Sequence, residues 1–237
     1  MTVAVVFALA AEFAPWRRLR RFRSIAGARP QAYEAQVGVS RVRVFLSGIG
    51  APHARVLTGT MRDDRAAFVV VAGVAGALKP EYDAGQIIVA RRVLSAEAGA
   101  IVSADERLVS LASTCGATIV ESFVSFERIV ARAEEKRRLG IHYDAVDMES
   151  FSVLNEAHAN QLPGITIRVV GDTVEQDLPI DFTRAMRRDQ TISVSRMLLE
   201  AARHPRQWPA LVRYGISHRR SLAHLAAFLD RFIAGID

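Results

Sequence analysis

RVRVFLSGIGAPHARVLTGTMRDDRAAFVVVAGVAG, residues 41–76, decides the fold. From Arg41 to Ser47 the apolar residues alternate, with Val42, Val44 and Leu46 on one side, and the run ends in Ser47-Gly48-Ile49-Gly50. That is a strand followed by a tight turn. His53 to Arg62 has helical spacing. Phe68 to Ala72 is a continuous apolar run, the pattern of a strand buried on both faces, and it stops at Gly73, the first residue of a glycine-bearing loop through Gly76. Strand, helix and strand in this order make a crossover unit, so a parallel sheet is expected.

The same punctuation recurs on either side of this stretch. Val3 to Leu9 is a short, Val-rich apolar run and reads as another buried strand. Gln86 to Val93 reads as a strand, and Ala104 to Ser113 and Ala131 to Leu139 as helices. Asp147 to Ala159 is a stronger helix, with Met148, Phe151, Leu154 and Ala157 recurring every third position. Pro163-Gly164 closes it before a strand from Ile165 to Val170, which ends at Gly171-Asp172. Three strands thus deliver small and polar residues at their carboxyl ends, the edge at which open α/β sheets bind ligands.

Two hundred and thirty-seven residues, half of them apolar, suffice for one large domain or two small ones. Cys115 has no second cysteine to pair with, and no Cys/His cluster has metal-ligand spacing, so a disulfide scaffold and a structural zinc fold are excluded and a cytoplasmic setting is the default. The apolar run Val3 to Ala11 lacks a basic flank, is too short to span a bilayer and runs into Glu12; nothing later has the length of a membrane helix. The formal charge of +6 is concentrated in Arg17, Arg18, Arg20, Arg21 and Arg23 and in the segment from Arg184 to Arg220. Neither run is interleaved with the aromatics of a stacking platform, so nucleic acid is not an expected partner. After Pro179 the pattern changes to Thr183–Arg203, a Pro205–Pro209 break, and a last helix with Leu222, Leu225, Phe228, Leu229, Phe232 and Ile233 on one side. The expected organisation is a core domain over 1–182 and a basic amphipathic helical extension over 183–237 packed on it.

Four carboxylates survive this mapping: Glu12 past the first strand, Asp147 and Glu149 at a helix start, and Asp172 after the last strand. Each has a bland reading: Asp147 and Glu149 as first-turn acids, Asp172 as an N-cap or turn residue, Glu12 as a solvated helix-start acid. They nevertheless follow buried strands whose glycines let a ligand approach the backbone. Several acids with no convergent lysine or histidine suit a reaction that develops positive charge, as glycosidic cleavage does.

At this point the residues resemble a family. Ser47-Gly48-Ile49-Gly50, Ala72-Gly73-Val74-Ala75-Gly76-Ala77-Leu78, Val146-Asp147-Met148-Glu149-Ser150 and Arg168-Val169-Val170-Gly171-Asp172 occur in the order and at the intervals of the nucleoside phosphorylase and nucleosidase superfamily, over about residues 1–182. The resemblance implies a three-layer α/β/α domain around a mixed, partly barrel-like sheet, and an enzyme that breaks the N-glycosidic bond of a purine nucleoside without a metal or cofactor. It implies Asp172 as the general acid toward N7 of the base and Glu149 as the ligand of the ribose hydroxyls and of the cationic sugar. Met148 would pack on the sugar face and Phe126 against the base, while Gly73, Ala75 and Gly76 would offer backbone close to the ligand and Asp147 would stand beside it. Glu12 lies where the methylthioadenosine/adenosylhomocysteine nucleosidases keep a glutamate that orients water. The Arg-Val-Gly-Ser run with which related phosphorylases hold phosphate reads Val71-Ala72-Gly73-Val74 here, so water is the favoured nucleophile. Phosphate as co-substrate stays open, since an arginine from another loop or subunit would restore the charge.

The chain also departs from the nucleosidase pattern: Val74 replaces a usual serine, Asp147 a usual glutamate, and Gly171 a usual serine beside the acid. Asp-Met-Glu-Ser, the Glu135-Lys136 pair, Leu178-Pro179 and the basic tail look most like the hopanoid-associated phosphorylase-like branch, implicated in removing adenine from an adenosyl-hopane precursor. That suggests a large 5′ substituent and peripheral contact of the C-terminal helices with an anionic inner membrane surface. The simpler account has Leu222, Leu225, Phe228 and Phe232 packing on the catalytic domain or on a second subunit. The resemblance further implies a homo-oligomer. A different class of function is a nucleoside-binding protein that kept the fold and lost the chemistry, for which Val74 and Gly171 are the motive.

Overall fold

The apolar run near the start forms β1 (Thr2–Phe7), and its side chains divide between two cores: Val3, Val5 and Phe7 pack into one, Ala4 and Val6 into the other. This two-sided burial is why the run shows no polar alternation. In the computed structural model, which describes residues 1–28, 30–50, 54–178 and 208–236, β1 lies between two parallel neighbours, β4 (Ser40–Leu46) and β5 (Ala66–Ala77). The crossover from β4 to β5 runs through α2 (Ala54–Asp63), as the opening stretch predicts. β3 (Ala32–Val37) and the two-residue β2 (Arg23–Ser24) extend the β4 edge antiparallel.

On its other side the sheet closes. β5 pairs in parallel with β10 (Gly164–Asp172) and, at its last two residues, antiparallel with β9 (Ala145–Asp147). β9 is parallel to β8 (Thr118–Ser125), β8 is parallel to β6 (Ile87–Ser95), and β6 returns antiparallel to β10, with β7 (Ile101–Ser103) attached to its outer part. β5, β10, β6, β8 and β9 therefore form a closed five-stranded barrel attached to an open sheet, and β5 belongs to both.

Helices cover both faces. The first core takes Phe13 and Trp16 from α1 (Ala10–Leu19), Leu108, Val109 and Ala112 from α3 (Glu106–Thr114), and Leu222, Leu225, Phe228, Leu229, Phe232 and Ile233 from a C-terminal helix. α2 and α5 (Ser150–Ala159) cover the second. A short α4 (Ala133–Leu139) follows β8, and the C-terminal helix, α6, spans Trp208–Ala234. Its apolar stripe is spent within this chain. The Asp230 carboxylate accepts two bonds from Arg20 at 2.7 Å and one from Trp16 Nε1 at 3.4 Å, which ties α6 to α1. Among the described residues no helix is long and apolar enough to cross a membrane.

Several boundaries differ from the expected ones. The Gly73–Gly76 stretch is strand rather than loop, because β10 pairs with it on one side and β9 with its end. Asp147 ends β9 instead of opening a helix; α5 begins at Ser150, with Glu149 just before it. Gly171 and Asp172 are the last residues of β10. Pro209 sits in the first turn of α6, where a missing N–H costs nothing, rather than in a break. The expected segment Thr183–Arg203, Pro205 and the start of the α2 helix at His53 lie outside the described residues.

Candidate active site

Where β5 and β10 leave the sheet, a hollow brings together residues that lie far apart in sequence. Glu12, Ala75, Gly76, Asp147, Met148, Glu149 and Asp172 line it. Behind its acids, outside the lining, lies an arginine. Arg168 on β10 is paired in register with Gly73 on β5 and is 1% exposed, which demands counter-charge and hydrogen bonds. It finds both: Nη2 lies 2.7 Å from Asp147 Oδ2 and 3.4 Å from Glu149 Oε2, and it donates to Ser150 Oγ at 3.0 Å. Asp147 is itself fixed by Ser125 Oγ, which donates to it at 2.5 Å. Its side chain is fully buried, so the carboxylate serves as the anchor of Arg168.

Glycine makes this arrangement possible. A Cβ on Gly73 would sit 2.3 Å from Arg168 Nη1 and 2.8 Å from Glu12 Oε1, so neither group would reach its place over a larger residue. Glu12, in the first turn of α1, accepts from the backbone N–H of Leu9 at 3.0 Å and of Val74 at 3.1 Å. Glu149 accepts from the backbone N–H of Gly50 at 3.1 Å, which uses the turn after β4. Gly48 and Gly50 adopt φ of 78° and 71°, the left-handed conformation that glycine permits.

Asp172 arrives by a register slip. Between Val170 and Asp172 the pairing with β5 skips a residue, so that Asp172 rather than Gly171 stands opposite Gly76; such bulges re-aim side chains at functional edges. The two serine replacements noted in the sequence touch here: a Cβ on Gly171 would lie 2.3 Å from Val74 Cγ1. The valine fills space that a side chain at 171 would need. Behind Asp172 stands Lys136 of α4, fully buried, whose ammonium donates to Asp172 Oδ2.

Burial pushes the Glu12 carboxyl above its ordinary range, against the attraction of Arg168 and the backbone donors of Leu9 and Val74. Glu149 is pushed up to about 7, first by burial and also by the charges of Asp147 and Glu12, with Arg168 opposing. Burial raises Asp172 as well, and Lys136 opposes it. Three acids whose carboxyls are all pushed upward by burial around one hollow are suited to proton transfer.

Met148 joins Glu149 on the wall, and Gly73 lies against Arg168 and Glu12. Phe126 does not line the hollow: its ring packs with Leu78, Val124, Val130 and Val146 and has the Arg128 guanidinium 5.2 Å from its centroid. The wall at that point is made by Arg128, Ile129 and Val130. No lysine among the described residues lines the hollow, but Lys136 stands behind Asp172, and Arg168 adds a cation that the sequence reading passed over. A lone arginine inside an otherwise uncharged, mostly apolar strand, Ile165 to Val170, was the signal for it, since such a charge is buried only with partners. Among the described residues no group of three or more His, Cys, Asp or Glu is arranged to hold a metal ion.

Residues 2–203 match the phosphorylase superfamily. A 5′-methylthioadenosine/S-adenosylhomocysteine nucleosidase of Haemophilus ducreyi is 25% identical over 210 residues, taking in 77% of this chain and 89% of the relative. Among solved structures, the corresponding nucleosidase of Campylobacter jejuni superposes with a TM-score of 0.75 at 16% identity over 100% of both chains. That of Neisseria meningitidis in complex with methylthio-immucillin-A gives 0.74 at 21% over 99% of both. A futalosine hydrolase mutant of Helicobacter pylori gives 0.72 at 18% over 98% of both.

Proposed function

The chain belongs to the phosphorylase superfamily, and from that premise we propose that it cleaves the N-glycosidic bond of an adenine nucleoside with water as the attacking group. One observation carries the choice of nucleophile: the cation behind the acids, Arg168, is already matched against Glu12, Asp147 and Glu149. A phosphate ion entering this nest would meet surplus negative charge, at about 4 kcal/mol for each unit pair 4 Å apart at an effective dielectric constant near 20. Water meets no such penalty. The nucleosidase relative from Haemophilus ducreyi supports the same reading.

In this reading the sugar lies against Met148 with its hydroxyls donating to Glu149. As the bond from C1′ to the base lengthens, its electron pair goes to the base and positive charge grows on the sugar, where the nearby carboxylates stabilise it. Asp172 gives its proton to N7, so the base leaves neutral. Glu12 orients the water and takes its proton as the oxygen bonds to C1′. Val74 and Ala75 present backbone at the wall, and no metal or cofactor takes part.

Incubation with adenosine and 5′-methylthioadenosine, with and without phosphate, tests this: adenine is expected to appear without phosphate. An absolute phosphate requirement would establish phosphorolysis instead, and tight binding with no base release would return the chain to the non-catalytic class. Asp172→Asn is expected to slow release by roughly 10²- to 10⁴-fold. A finer reading gives the nucleoside a large 5′ substituent of the adenosyl-hopane kind. The outer side of α6 supports it, for Trp208, Val212 and Ile216 are exposed beside Arg213, Arg219 and Arg220, a surface suited to an anionic bilayer. Faster adenine release from a lipid-tailed adenosine in anionic vesicles than from adenosine is expected; equal rates and no vesicle binding overturn it. Assembly into a homo-oligomer belongs to the same reading and is checked by sedimentation.

A further inference from the structure

Lys136 is a buried cation to which the reaction above gives no task. Its side chain has no exposed surface, and its ammonium donates to Asp172 Oδ2, to the Gln176 carbonyl at 2.7 Å and to the Thr173 carbonyl at 3.2 Å. All three N–H donors are in use, so it has none left for a ligand. Asp172 lines the hollow and Lys136 does not. Burying an ammonium costs several kcal/mol unless it is fully paired, and here the pairing partner is the acid that faces the ligand.

From this geometry we infer that Lys136 is a positioning residue for Asp172: it holds Oδ2 against α4, leaves Oδ1 as the oxygen turned to the ligand, and steadies the carboxylate that remains once the proton has gone. The inference rests on the reaction proposed above. In that step the O–H bond of the Asp172 carboxyl breaks, an N–H bond forms on the base, the C1′–N electron pair passes to the base, and no bond of Lys136 is made or broken. Among the described residues, the other titratable groups around Asp172 carry no positive charge free to pair with it. From α6, Tyr214 is a phenol held neutral by burial and by the charge of Asp172, and burial holds His218, close to Gly171, toward its neutral form. Across the hollow, Glu12 and Glu149 are acids and Arg168 is occupied among them.

The test compares wild type, Lys136→Met and Lys136→Arg in two ways: the pH dependence of kcat for adenine release, and the carboxyl titration of ¹³C-aspartate-labelled protein, with Asp172→Asn to assign the signal. In Lys136→Met the alkaline limb of kcat and the Asp172 titration should move up together by about 1–3 pH units, the shift that loss of an adjacent opposite charge produces. kcat should fall by about tenfold as the acid weakens, with KM nearly unchanged. Lys136→Arg should hold both near wild type. A fall in kcat with the titration unmoved would make Lys136 a structural strut and overturn the inference. Should Lys136→Met not fold, the wild-type Lys136 ¹⁵Nζ signal must follow the Asp172 titration, and its indifference overturns the inference equally. The titration needs no substrate: a wild-type chain that titrates as stated but releases no base refutes the reaction, whereas an active chain with an unmoved titration refutes the role of Lys136 alone.

Discussion

Replacing Glu149 by Gln should stabilise the protein at alkaline pH while disabling it. The carboxyl is buried among Asp147, Glu12 and Arg168, and its pKa is raised from 4.5 to about 7. Between those values the folded chain holds a proton that the unfolded chain has lost. The stability from this group is therefore complete below pH 4.5, falls as pH rises, and is gone above about 7. At about 1.36 kcal/mol per pH unit, the rise of about 2.5 amounts to roughly 3 kcal/mol. The amide of Gln keeps an acceptor for the Gly50 N–H, and Arg168 keeps Asp147 at 2.7 Å, so the substitution removes the titration and little else. At pH 8 the variant should exceed wild type by up to about 3 kcal/mol, or roughly 6–12 °C in Tm for a chain of this size. Urea unfolding followed by fluorescence of the buried Trp16 at pH 4 to 8 measures the difference directly. A wild-type-minus-variant difference that stays constant over that range would refute the argument, because Glu149 would then titrate alike in both states.

Gly73→Ala should leave a folded chain that has lost most base release, by about 10²-fold, since its Cβ displaces Arg168 Nη1 and Glu12 Oε1 together; normal turnover in the adenine assay would remove both groups from the chemistry. Gly171→Ala should cost about 1–3 kcal/mol through contact with Val74 Cγ1, and Val74→Ala in the same chain should restore most of it. Additive losses in that double variant, read by urea midpoint, would show that the two residues do not interlock. Phe228→Ala, at 1% exposure in the first core, should cost about 3–5 kcal/mol by the same measurement, and an unchanged midpoint would mean that α6 contributes nothing to the fold.

Strands β1, β4, β5, β6 and β10 were legible because continuous or alternating apolar runs with glycine at their ends have few other readings. β8 and β9 were not. Thr118 to Ser125 mixes Glu121, Ser122 and Ser125 with its apolar residues, and Ala145–Asp147 is three residues long, so both depend on barrel partners remote in sequence. The same remoteness turned the Gly73–Gly76 loop into strand. Glu12 and Asp172 could be found because acids after buried strands are conspicuous, and Glu149 because it stands at a helix start. Arg168 and Lys136 were hidden: the first looked like one polar residue in a strand, the second like one of several charges in the Glu134–Arg138 run, where three neighbours remain exposed and Lys136 alone is fully buried. Sequence periodicity carries the period of an element, not the identity of the partner across the hollow.

The docking of α6 has a consequence for synthesis. Phe7, Phe13, Trp16 and Phe22 form one aromatic cluster within the first core, and the residues that complete that core, Leu222 to Ile233, are translated long after them. At about 5–20 residues per second, a nascent chain that has just extruded Asp172 waits several seconds for this helix. During that interval an oily surface is open beside the ribosome exit, a target for chaperones and proteases, until the helix arrives to cover it.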